Sequence, residues 1–293
     1  MNEISQSYLD SLLNGHTTWP KHEWIVSGSP NKKHEFEVTP TFGKPIWNGS
    51  SEPITLLINA DFGVGDTIHF FRFIHLAQQK VLNAILRCDG ELRGLLTGIQ
   101  IIDKDQDLPN FDKIIHMMAL PGLLDVKIDG KPYLQQNRDS DICQEIDKLS
   151  FFKLGVCWAG NPFNPRDAVR SIPLEMFNEI IPEGMRPFCL NKVYDPPENY
   201  LNMRGYMKTW LDTSKLVSSM DLIITVDTAL AHLSGALGKE TWLLLSDIDP
   251  DWRWGLKGEK TIWYDSVKLF RGNWKDVINN VRDALQIKLS LSE

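Results

Sequence analysis

The chain has 293 residues, 42% of them hydrophobic and 24% charged, and a formal net charge of −7 at pH 7. This length accommodates two domains with a core each, and the acidic balance disfavours recruitment to nucleic acid or anionic membrane by overall charge. The four cysteines are far apart in the sequence and form no Cys-x-x-Cys pair or Cys/His cluster at zinc-ligand spacing, so we expect reduced thiols and no metal site.

Residues 1–50 are predicted to form an irregular amino-terminal arm. They are rich in Ser, Asn, Pro, Lys and His and contain one short amphipathic piece from Tyr8 to Leu13. The first residues resemble neither the basic nor the apolar region of a signal peptide, and no apolar run reaches the ~18 residues of a transmembrane helix. We therefore expect a cytoplasmic protein that does not insert into a membrane.

Residues 51–145 are predicted to form a first Rossmann-like domain. Apolar strands alternate with helical stretches, and this alternation indicates a doubly wound parallel sheet. The predicted strands are residues 54–59, 84–87, 99–102 and 113–117, and the first helix is residues 67–79. The polar stretch 130–141 is expected to link this domain to the next, with the boundary near residue 145.

The loop after the first strand, Asp61-Phe-Gly-Val-Gly-Asp66, has two interpretations. Gly63 and Gly65 allow a tight turn and close approach to a ligand, and Asp66 stands at the predicted helix start, where an N-cap is expected. In the structural interpretation the segment is only a capped βα turn, since a Gly-x-Gly pair is a weak signal. In the functional interpretation Asp66 lies at the carboxyl edge of the sheet and accepts a proton from an acceptor hydroxyl.

Residues 146–293 are predicted to form a second Rossmann-like domain. Its first strand runs from Lys153 into a Gly-Asn-Pro turn, followed by a loop with Arg166 and Arg170. Two loop arginines suit phosphate binding, although such side chains are more often simply solvated. Three further elements are predicted in this domain: a strand at 186–190 ending in Asn191-Lys192, a helix at 211–220 and a closing helix at 274–288.

The stretch from Asp221 to Ser246 predicts a strand, a turn, a helix and a second strand. The β-branched run 222–226 ends in Asp227-Thr228, and small or apolar residues at helical spacing follow as far as Gly238. The turn lies at the carboxyl end of a parallel strand, where open α/β sheets bind ligands and the first helix amides favour an anion. A nucleotide diphosphate is the predicted ligand.

Five segments together resemble one protein family. They are Gly63-x-Gly-Asp66, Gly155-Val-Cys-Trp-Ala-Gly160, Arg170-Ser-Ile-Pro173, Val226-Asp-Thr-x-x-x-His232 and Asp251-Trp-Arg-Trp254. The chain resembles the glycosyltransferase-like domains at the carboxyl end of many bacterial tetratricopeptide-repeat proteins, which are similar to the heptosyltransferases of glycosyltransferase family 9. The match covers roughly residues 44–285, and the about 45 residues before it are too few for two repeat units of about 34.

The resemblance implies a GT-B architecture, in which two Rossmann-like domains face each other across a cleft and no metal or further cofactor is used. The nucleotide-sugar donor binds the second domain and the acceptor mostly the first. Asp66 matches the proposed catalytic base of the family, and Arg170 stands where heptosyltransferases have a lysine near the donor phosphates. The residues assigned to the donor side are Gly63, Gly65, Trp158, Asn161, Arg170, Asn191, Lys192, Asp227, Thr228, Ala229 and His232.

For two of these residues, Asp227 and His232, the residue chemistry also allows a role other than the one that the resemblance implies. A carboxylate beside phosphate is repulsive, so we expect Asp227 to cap its own helix or to hold a sugar hydroxyl. His232 has two interpretations of equal weight, namely ligand contact and packing in the helix interface with a hydrogen bond to backbone. The chain also departs from its relatives, which commonly have Glu-Gln where Asp61-Phe62 stands, and this change bears on the choice of acceptor.

Three functions are weighed on these grounds. The leading hypothesis is a nucleotide-sugar-dependent glycosyltransferase, and the second is a GT-B module that binds nucleotide or sugar without catalysis. A nicotinamide or flavin dehydrogenase is disfavoured because Ile68 replaces the third glycine of the G-x-G-x-x-G pattern. The acceptor is a hydroxyl of a glycan, a protein or a hydroxylated DNA base; the net charge does not favour DNA, although the predicted first domain and its arm contain Lys32, Lys33, Lys44, Arg72, Arg87 and Arg93.

Overall fold

The computed structural model describes residues 41–124, 126 and 128–291. The predicted amphipathic piece from Tyr8 to Leu13, together with Lys32 and Lys33, lies outside the described residues. The chain divides into two compact units, residues 1–128 and 129–293, and each unit contains one sheet of parallel strands. The predicted α/β class with two Rossmann-like parallel sheets is therefore confirmed.

The sheet of the first unit has four parallel strands in the order β3-β2-β1-β4. After β1, the chain adds β2 and β3 on one side and then crosses to add β4 on the other. The point between β1 and β4, where the direction of strand addition reverses, is the position at which open α/β sheets bind ligands. The strands are β1 (Glu52–Asn59), β2 (Val81–Cys88), β3 (Gln100–Asp103) and β4 (Lys113–His116).

The helices of the first unit differ from the sequence prediction at one place. The single helix predicted for residues 67–79 is wrong, because two short helices occupy this stretch and a break separates them at Arg72 and Phe73. The amide of Phe73 bonds to the carbonyl of Phe70 at 3.1 Å, and the Arg72 side chain turns back to donate from Nε to the carbonyl of His69 at 3.1 Å. The helices are α1 (Val64–Phe71), α2 (Ile74–Gln78) and α3 (Leu120–Leu124).

The described end of the predicted amino-terminal arm packs on the first sheet. Ile46 forms a parallel bridge with Ile114, and the Trp47 amide donates to the carbonyl of Ile114 at 2.9 Å. The Trp47 side chain is fully buried, and its indole donates to the carbonyl of Ser50 at 3.0 Å. A buried tryptophan therefore fixes residues 46–50 against the edge strand β4.

The sheet of the second unit has six parallel strands in the order β10-β9-β8-β5-β6-β7. The chain starts at β5, adds β6 and β7 on one side, and crosses to add β8, β9 and β10 on the other. The reversal point lies between β5 and β8. The strands are β5 (Leu154–Cys157), β6 (Phe188–Cys189), β7 (Leu201–Asn202), β8 (Leu222–Val226), β9 (Thr241–Ser246) and β10 (Val267–Gly272); the sequence prediction did not include β7 or β10.

Six α-helices are described in the second unit. Every residue of β8 and β9 is buried, as expected for strands covered on both faces. The closing helix contributes Val277, Val281 and Leu285 to the same core. The helices are α4 (Asp141–Asp147), α5 (Asp167–Arg170), α6 (Leu174–Asn178), α7 (Trp210–Ser218), α8 (Ala229–Ala236) and α9 (Trp274–Ser290). Across residues 41–124, 126 and 128–291, no helix combines the length and apolar character needed to cross a bilayer.

The stretch predicted as an interdomain link makes contacts within the second unit. The amides of Tyr133 and Leu134 both donate to the carbonyl of Ala236 at 3.0 Å, at the end of α8. Gln136 donates from Nε2 to the carbonyl of Leu237 at 2.9 Å. Residues 133–136 are thus held by the last turn of α8.

Gly235 is required by close packing in α8, and we expect Gly235→Ala to destabilise the fold. A Cβ at this position would lie 2.5 Å from the Tyr264 ring, which is fully buried and cannot swing away. Overpacking of this kind costs about 1–3 kcal/mol in the free energy of unfolding, to be measured by urea denaturation. Gly205→Ala is the control, because a Cβ there meets nothing within 4 Å. Equal stability of the two variants would contradict the prediction.

Candidate functional site

The candidate site of the second unit is the set of loops that follow β5, β8 and β9. These strands are neighbours at the reversal point, and their parallel direction brings their carboxyl ends to one edge of the sheet. The loop after β5 carries Arg166, Asp167 and Arg170, the turn after β8 carries Asp227, and the loop after β9 carries Asp251. Charged groups separated by as many as 85 positions in the sequence therefore meet at this edge.

Helix α8 begins at the turn after β8 as the sequence predicts, but its cap is Thr228. The Thr228 hydroxyl accepts from the amide of Leu230 at 3.3 Å. This contact uses one of the predicted anion-binding amides and leaves those of Thr228 and Ala229 as the helix-start donors of the site. The expectation that Asp227 caps the helix is wrong, since the threonine already fills that position.

Arg170 lies at the end of the short helix α5 and is held by Asp167. Its Nε lies 3.3 Å from Asp167 Oδ1, and the Ser171 hydroxyl donates to the same oxygen at 2.9 Å. Gly160 makes this approach possible, because a Cβ there would lie 2.6 Å from Arg170 Nη2. The amide of Gly160 in turn donates to Ser171 Oγ at 3.0 Å. The guanidinium is therefore pre-oriented, with its side chain 22% exposed.

The loop after β9 is organised by Asp251. Its carboxylate accepts from the amide of Arg253 at 3.0 Å and from Arg253 Nη1 at 3.1 Å to each oxygen. Arg166 Nη1 reaches the same carboxylate at 3.4 Å, and its Nη2 donates to the carbonyl of Asp249. Burial alone would raise the pKa of Asp251, but the charge of Arg253 and the bond from its amide hold that pKa below its usual range. Asp251 is thus an ionised carboxylate that ties the two loops together.

The surroundings of Asp227 raise its pKa, whereas those of Asp251 lower the pKa of that residue. It is half-buried at the carboxyl end of β8. Burial and the charge of Asp251 raise its pKa to about 6, although the Trp254 indole and the charges of Arg170 and Arg253 oppose the rise. The buried Trp254 Nε1 faces Asp227 without forming a hydrogen bond of normal geometry. Asp227 therefore gains a proton more readily than an ordinary carboxyl group.

We expect Asp227→Asn to stabilise the protein more at alkaline than at acidic pH. A raised native-state pKa means that the folded state loses stability as pH rises from about 4 to about 6, and that the loss is complete above the native pKa. Asparagine stays neutral at every pH, so the Asp227→Asn protein does not lose this stability. The difference between its free energy of unfolding in urea and that of the wild type should therefore grow by about 1 kcal/mol between about pH 5 and about pH 8. Asp247→Asn, at an exposed position of the same sheet edge, should show no such growth. A difference for Asp227→Asn that is constant with pH would contradict the prediction.

His232 lies one turn into α8 and belongs to a buried aromatic cluster. It is 5% exposed, its Nδ1 is 2.9 Å from the Tyr264 hydroxyl, and its ring stacks on Trp254 with centroids 5.1 Å apart. This placement favours the packing interpretation, with the tyrosine hydroxyl in place of the expected backbone partner. Direct contact of His232 with a donor stays a prediction.

Four other predicted donor residues lie around the ends of β5 and β6. Asn191 is 1% exposed; its amide donates to the carbonyl of Ala159, and its oxygen accepts from the amides of the next loop, so its polar atoms shape that loop. The Lys192 ammonium lies 4.5 Å above the Trp210 ring. Trp158 is 3% exposed in the core, and Asn161 accepts from the Phe163 amide in the loop after β5.

In the first unit, Gly63, Gly65 and Asp66 surround the start of α1. Gly63 is the N-cap with φ of −65°, a conformation open to other residues as well. Asp66 is in the first turn rather than at the N-cap, and the expectation that it caps the helix from that position is wrong. Its Oδ2 lies 3.5 Å from the position of a Cβ on Gly63, so the carboxylate folds towards the β1–α1 loop.

Sequence reasoning missed several residues of these two sheet edges. Asp167 carries a local signal, because it stands three residues before Arg170 and faces it within one helical turn. Arg253 carries a local signal as well, since it bonds Asp251 two residues before it. Tyr264 lacks such a signal, because its partner His232 is 32 positions away in the sequence. In the first unit, Asp61 was linked to acceptor choice only through a departure from the family pattern, and His116 was not assigned a role; the two side chains hydrogen-bond across 55 positions.

The described residues offer no cluster suited to a metal. Across residues 41–124, 126 and 128–291, no three His, Cys, Asp or Glu side chains come together in a group that could hold an ion. All four cysteines are buried free thiols, and burial raises the pKa of Cys157 to about 11. Thiolate ligands are therefore disfavoured at neutral pH.

Comparison with solved structures identifies the fold. The E. coli ADP-heptose lps heptosyltransferase II aligns with a TM-score of 0.54 at 13% identity, covering 81% of this chain and 99% of that one. The iron-containing dodecameric glycosyltransferase TibC of enterotoxigenic E. coli H10407 aligns with a TM-score of 0.52 at 10% identity, covering 67% and 58%. TibC in complex with ADP-D-beta-D-heptose gives a TM-score of 0.55 at 10% identity, covering 82% and 77%.

These likenesses establish a shared fold. The α/β architecture with two parallel sheets is the one found in heptosyltransferases, which agrees with the GT-B class predicted from the sequence. No protein-family model matches the chain, and no curated protein matches it in sequence. TibC is described as iron-containing, whereas the described residues of this chain include no group of three His, Cys, Asp or Glu side chains that could hold such an ion.

Proposed function

We propose that this protein is a nucleotide-sugar-dependent glycosyltransferase that transfers a sugar to an acceptor hydroxyl without a metal ion. One observation carries the proposal: a pre-oriented arginine and a helix start meet at the reversal point of the second sheet, in a fold shared with heptosyltransferases. By its motifs the chain resembles the transferase-like domains of tetratricopeptide-repeat proteins.

The second unit binds the donor in this proposal. When the bond to the sugar breaks, the departing nucleoside diphosphate gains negative charge, which must be stabilised at the moment it develops. Arg170 supplies a fixed positive charge, and the amides of Thr228 and Ala229 supply the positive end of α8. Because Asp167 and Gly160 hold the guanidinium before the donor arrives, little ordering remains to be done in the transition state.

Asp227 binds the sugar rather than the phosphates. Its carboxyl group lies at the same edge as Arg170 but resists ionisation, because burial and the neighbouring Asp251 raise its pKa to about 6. At neutral pH a carboxyl group with this pKa is still mostly ionised, so it accepts a hydrogen bond from a sugar hydroxyl and repels a phosphate. Asp251 keeps its charge and instead holds Arg166 and Arg253 in place.

Asp66 of the first unit acts as the base. The acceptor oxygen forms a bond to the anomeric carbon of the donor, its proton passes to the Asp66 carboxylate, and the bond between that carbon and the diphosphate oxygen breaks. The nucleoside diphosphate leaves with the electron pair. This assignment is supported by the place of Asp66 in the first turn of α1, after the carboxyl end of β1.

Incubation with a panel of nucleotide sugars tests the proposal. The panel begins with ADP-sugars, because one structural neighbour was solved with ADP-D-beta-D-heptose. Mass spectrometry should detect slow release of one nucleoside diphosphate as water replaces the acceptor, and EDTA should not reduce the rate. A nucleotide sugar that binds by calorimetry but is never cleaved would instead indicate a non-catalytic binding module.

A further inference from the structure

The carboxyl edge of the first sheet carries a second polar cluster that the donor site does not involve. Asp61 follows β1, and His116 is the last residue of β4. These two strands flank the reversal point of the four-stranded sheet, and Asn59 pairs in register with His116. The cluster therefore occupies the position at which an open α/β sheet binds a ligand.

Hydrogen bonds from the interior fix the Asp61 carboxylate. Its Oδ1 lies 2.8 Å from His116 Nε2, and its Oδ2 accepts from Asn59 Nδ2 at 3.0 Å. His116 Nδ1 accepts from the amide of Met118 at 3.2 Å, so the proton of the neutral ring is on Nε2 and points at Asp61. Asn59 is in turn held by Arg87, whose Nη1 donates to Asn59 Oδ1 at 3.0 Å.

Of the three side chains in this cluster, only Asp61 is exposed to solvent. The Asn59 side chain is fully buried and the His116 side chain is 2% exposed, whereas the Asp61 side chain is 35% exposed. The two inner groups hold the carboxylate and cannot themselves reach a ligand. A carboxylate oxygen has two lone pairs, and each Asp61 oxygen uses one of them internally. One further hydrogen bond per oxygen can be accepted from outside.

The charge of Asp61 limits what it can bind. Burial by itself would raise its pKa, but the hydrogen bonds from His116 and Asn59 hold that pKa below its usual range. A carboxylate accepts hydrogen bonds from hydroxyl or ammonium groups and repels phosphate. The diphosphate of a donor is therefore excluded from direct contact with Asp61, and a neutral ligand with several hydroxyls suits it.

We propose that Asp61 is an acceptor-binding residue, whose carboxylate, positioned by His116 and Asn59, hydrogen-bonds two hydroxyls of a neutral polyhydroxylated acceptor. This inference rests on the proposed function, because it names the substrate class of the same transfer. Asp61 binds and orients the acceptor, while Asp66, five positions later, takes the proton. The acceptor is accordingly a glycan rather than a phosphorylated or otherwise anionic molecule.

Saturation-transfer NMR on the full chain tests the inference with methyl glycopyranosides as neutral probes and glucose 6-phosphate as the anionic one. We expect millimolar binding of at least one neutral glycoside, no binding of the phosphate, and about tenfold weaker glycoside binding in Asp61→Asn, the loss expected for hydrogen bonds to a charged group. Asp112→Asn is the matched control, because Asp112 accepts from the Thr55 amide at the opposite edge of the same sheet. It should bind like the wild type.

A second variant separates binding from folding. His116→Leu removes the donor to Asp61 Oδ1, whereas His116→Gln can replace it through its amide, so glycoside binding should fall in the first and recover in the second. Thermal unfolding by circular dichroism shows whether each variant is folded. If no neutral glycoside binds to the wild type, or if folded Asp61→Asn binds it equally well, the inference is overturned.

Failure of this inference can be told apart from failure of the proposed function. Release of nucleoside diphosphate by the wild type depends on the donor site and needs no acceptor. A wild type that binds glycosides through Asp61 but cleaves no nucleotide sugar would refute the transferase and leave the Asp61 site standing. A wild type that cleaves a nucleotide sugar while Asp61→Asn binds glycosides normally would refute the Asp61 site alone.

Discussion

Asp66→Asn is expected to reduce glycosyl transfer by about 10²- to 10⁴-fold, the usual contribution of a general base. The substitution keeps the shape of the side chain and removes its ability to take a proton from the acceptor. Donor binding should be retained, because the groups proposed to hold the diphosphate, Arg170 and the amides of Thr228 and Ala229, lie in the second unit. The measurements are nucleoside diphosphate release by mass spectrometry and donor affinity by calorimetry.

The control for this prediction is Asp107→Asn, an exposed aspartate of the same unit that lies between β3 and β4. It should leave both release and affinity unchanged. Undiminished transfer by Asp66→Asn would remove Asp66 as the base. A variant that loses donor affinity as well would assign Asp66 a role in binding rather than in proton transfer.

Arg170→Ala should weaken binding of the nucleoside diphosphate by about 10- to 100-fold, the range expected for losing charge-assisted hydrogen bonds. Nucleoside diphosphate release should fall further, by about 10²- to 10³-fold, because the positive charge acts most strongly on the developing charge of the leaving group. Arg170→Lys should recover only part of the loss, since an ammonium lacks the planar fork that Asp167 orients.

Isothermal titration with ADP and the release assay measure these effects. Arg186→Ala is the control, because Arg186 is exposed and precedes β6, at the amino edge of the same sheet. The fold should survive in Arg170→Ala, since Asp167 keeps its hydrogen bond from the Ser171 hydroxyl. If ADP binds Arg170→Ala as tightly as it binds the wild type, the donor phosphates do not lie at this edge.

The strands and their order of appearance were largely predictable. The apolar runs 54–59, 84–87 and 222–226 each became a buried strand close to the expected bounds, because a strand covered on both faces needs a continuous apolar sequence. Two strands escaped prediction for identifiable reasons. β7 has only two residues, and β10 alternates exposed Lys268 with buried neighbours at the edge of the sheet.

The candidate site was predictable only where its parts are local in sequence. Asp227-Thr228 follows directly on β8, and the helix start that it precedes needs no distant partner. Trp158 shows the limit of this reasoning: it stands beside the site in the sequence, yet its ring packs against Phe177 and Tyr200 in the core. The direction of a side chain at a strand end depends on the pleat and on packing, which a motif does not specify.

The sequence by itself determined that two parallel sheets form and that their carboxyl ends carry glycine turns, helix starts and carboxylates, because hydrophobic periodicity and turn chemistry act over a few residues. Only the tertiary structure decided which charges meet. Asp61 and His116, 55 positions apart, meet because they follow or end the neighbouring strands β1 and β4. Arg166 and Asp251, 85 positions apart, meet at the carboxyl edge of the second sheet, where β8 lies between their strands β5 and β9. Tertiary packing also buries Asp227 near Asp251 and thereby raises the pKa of Asp227, because burial and neighbouring charge, not residue type, set that pKa.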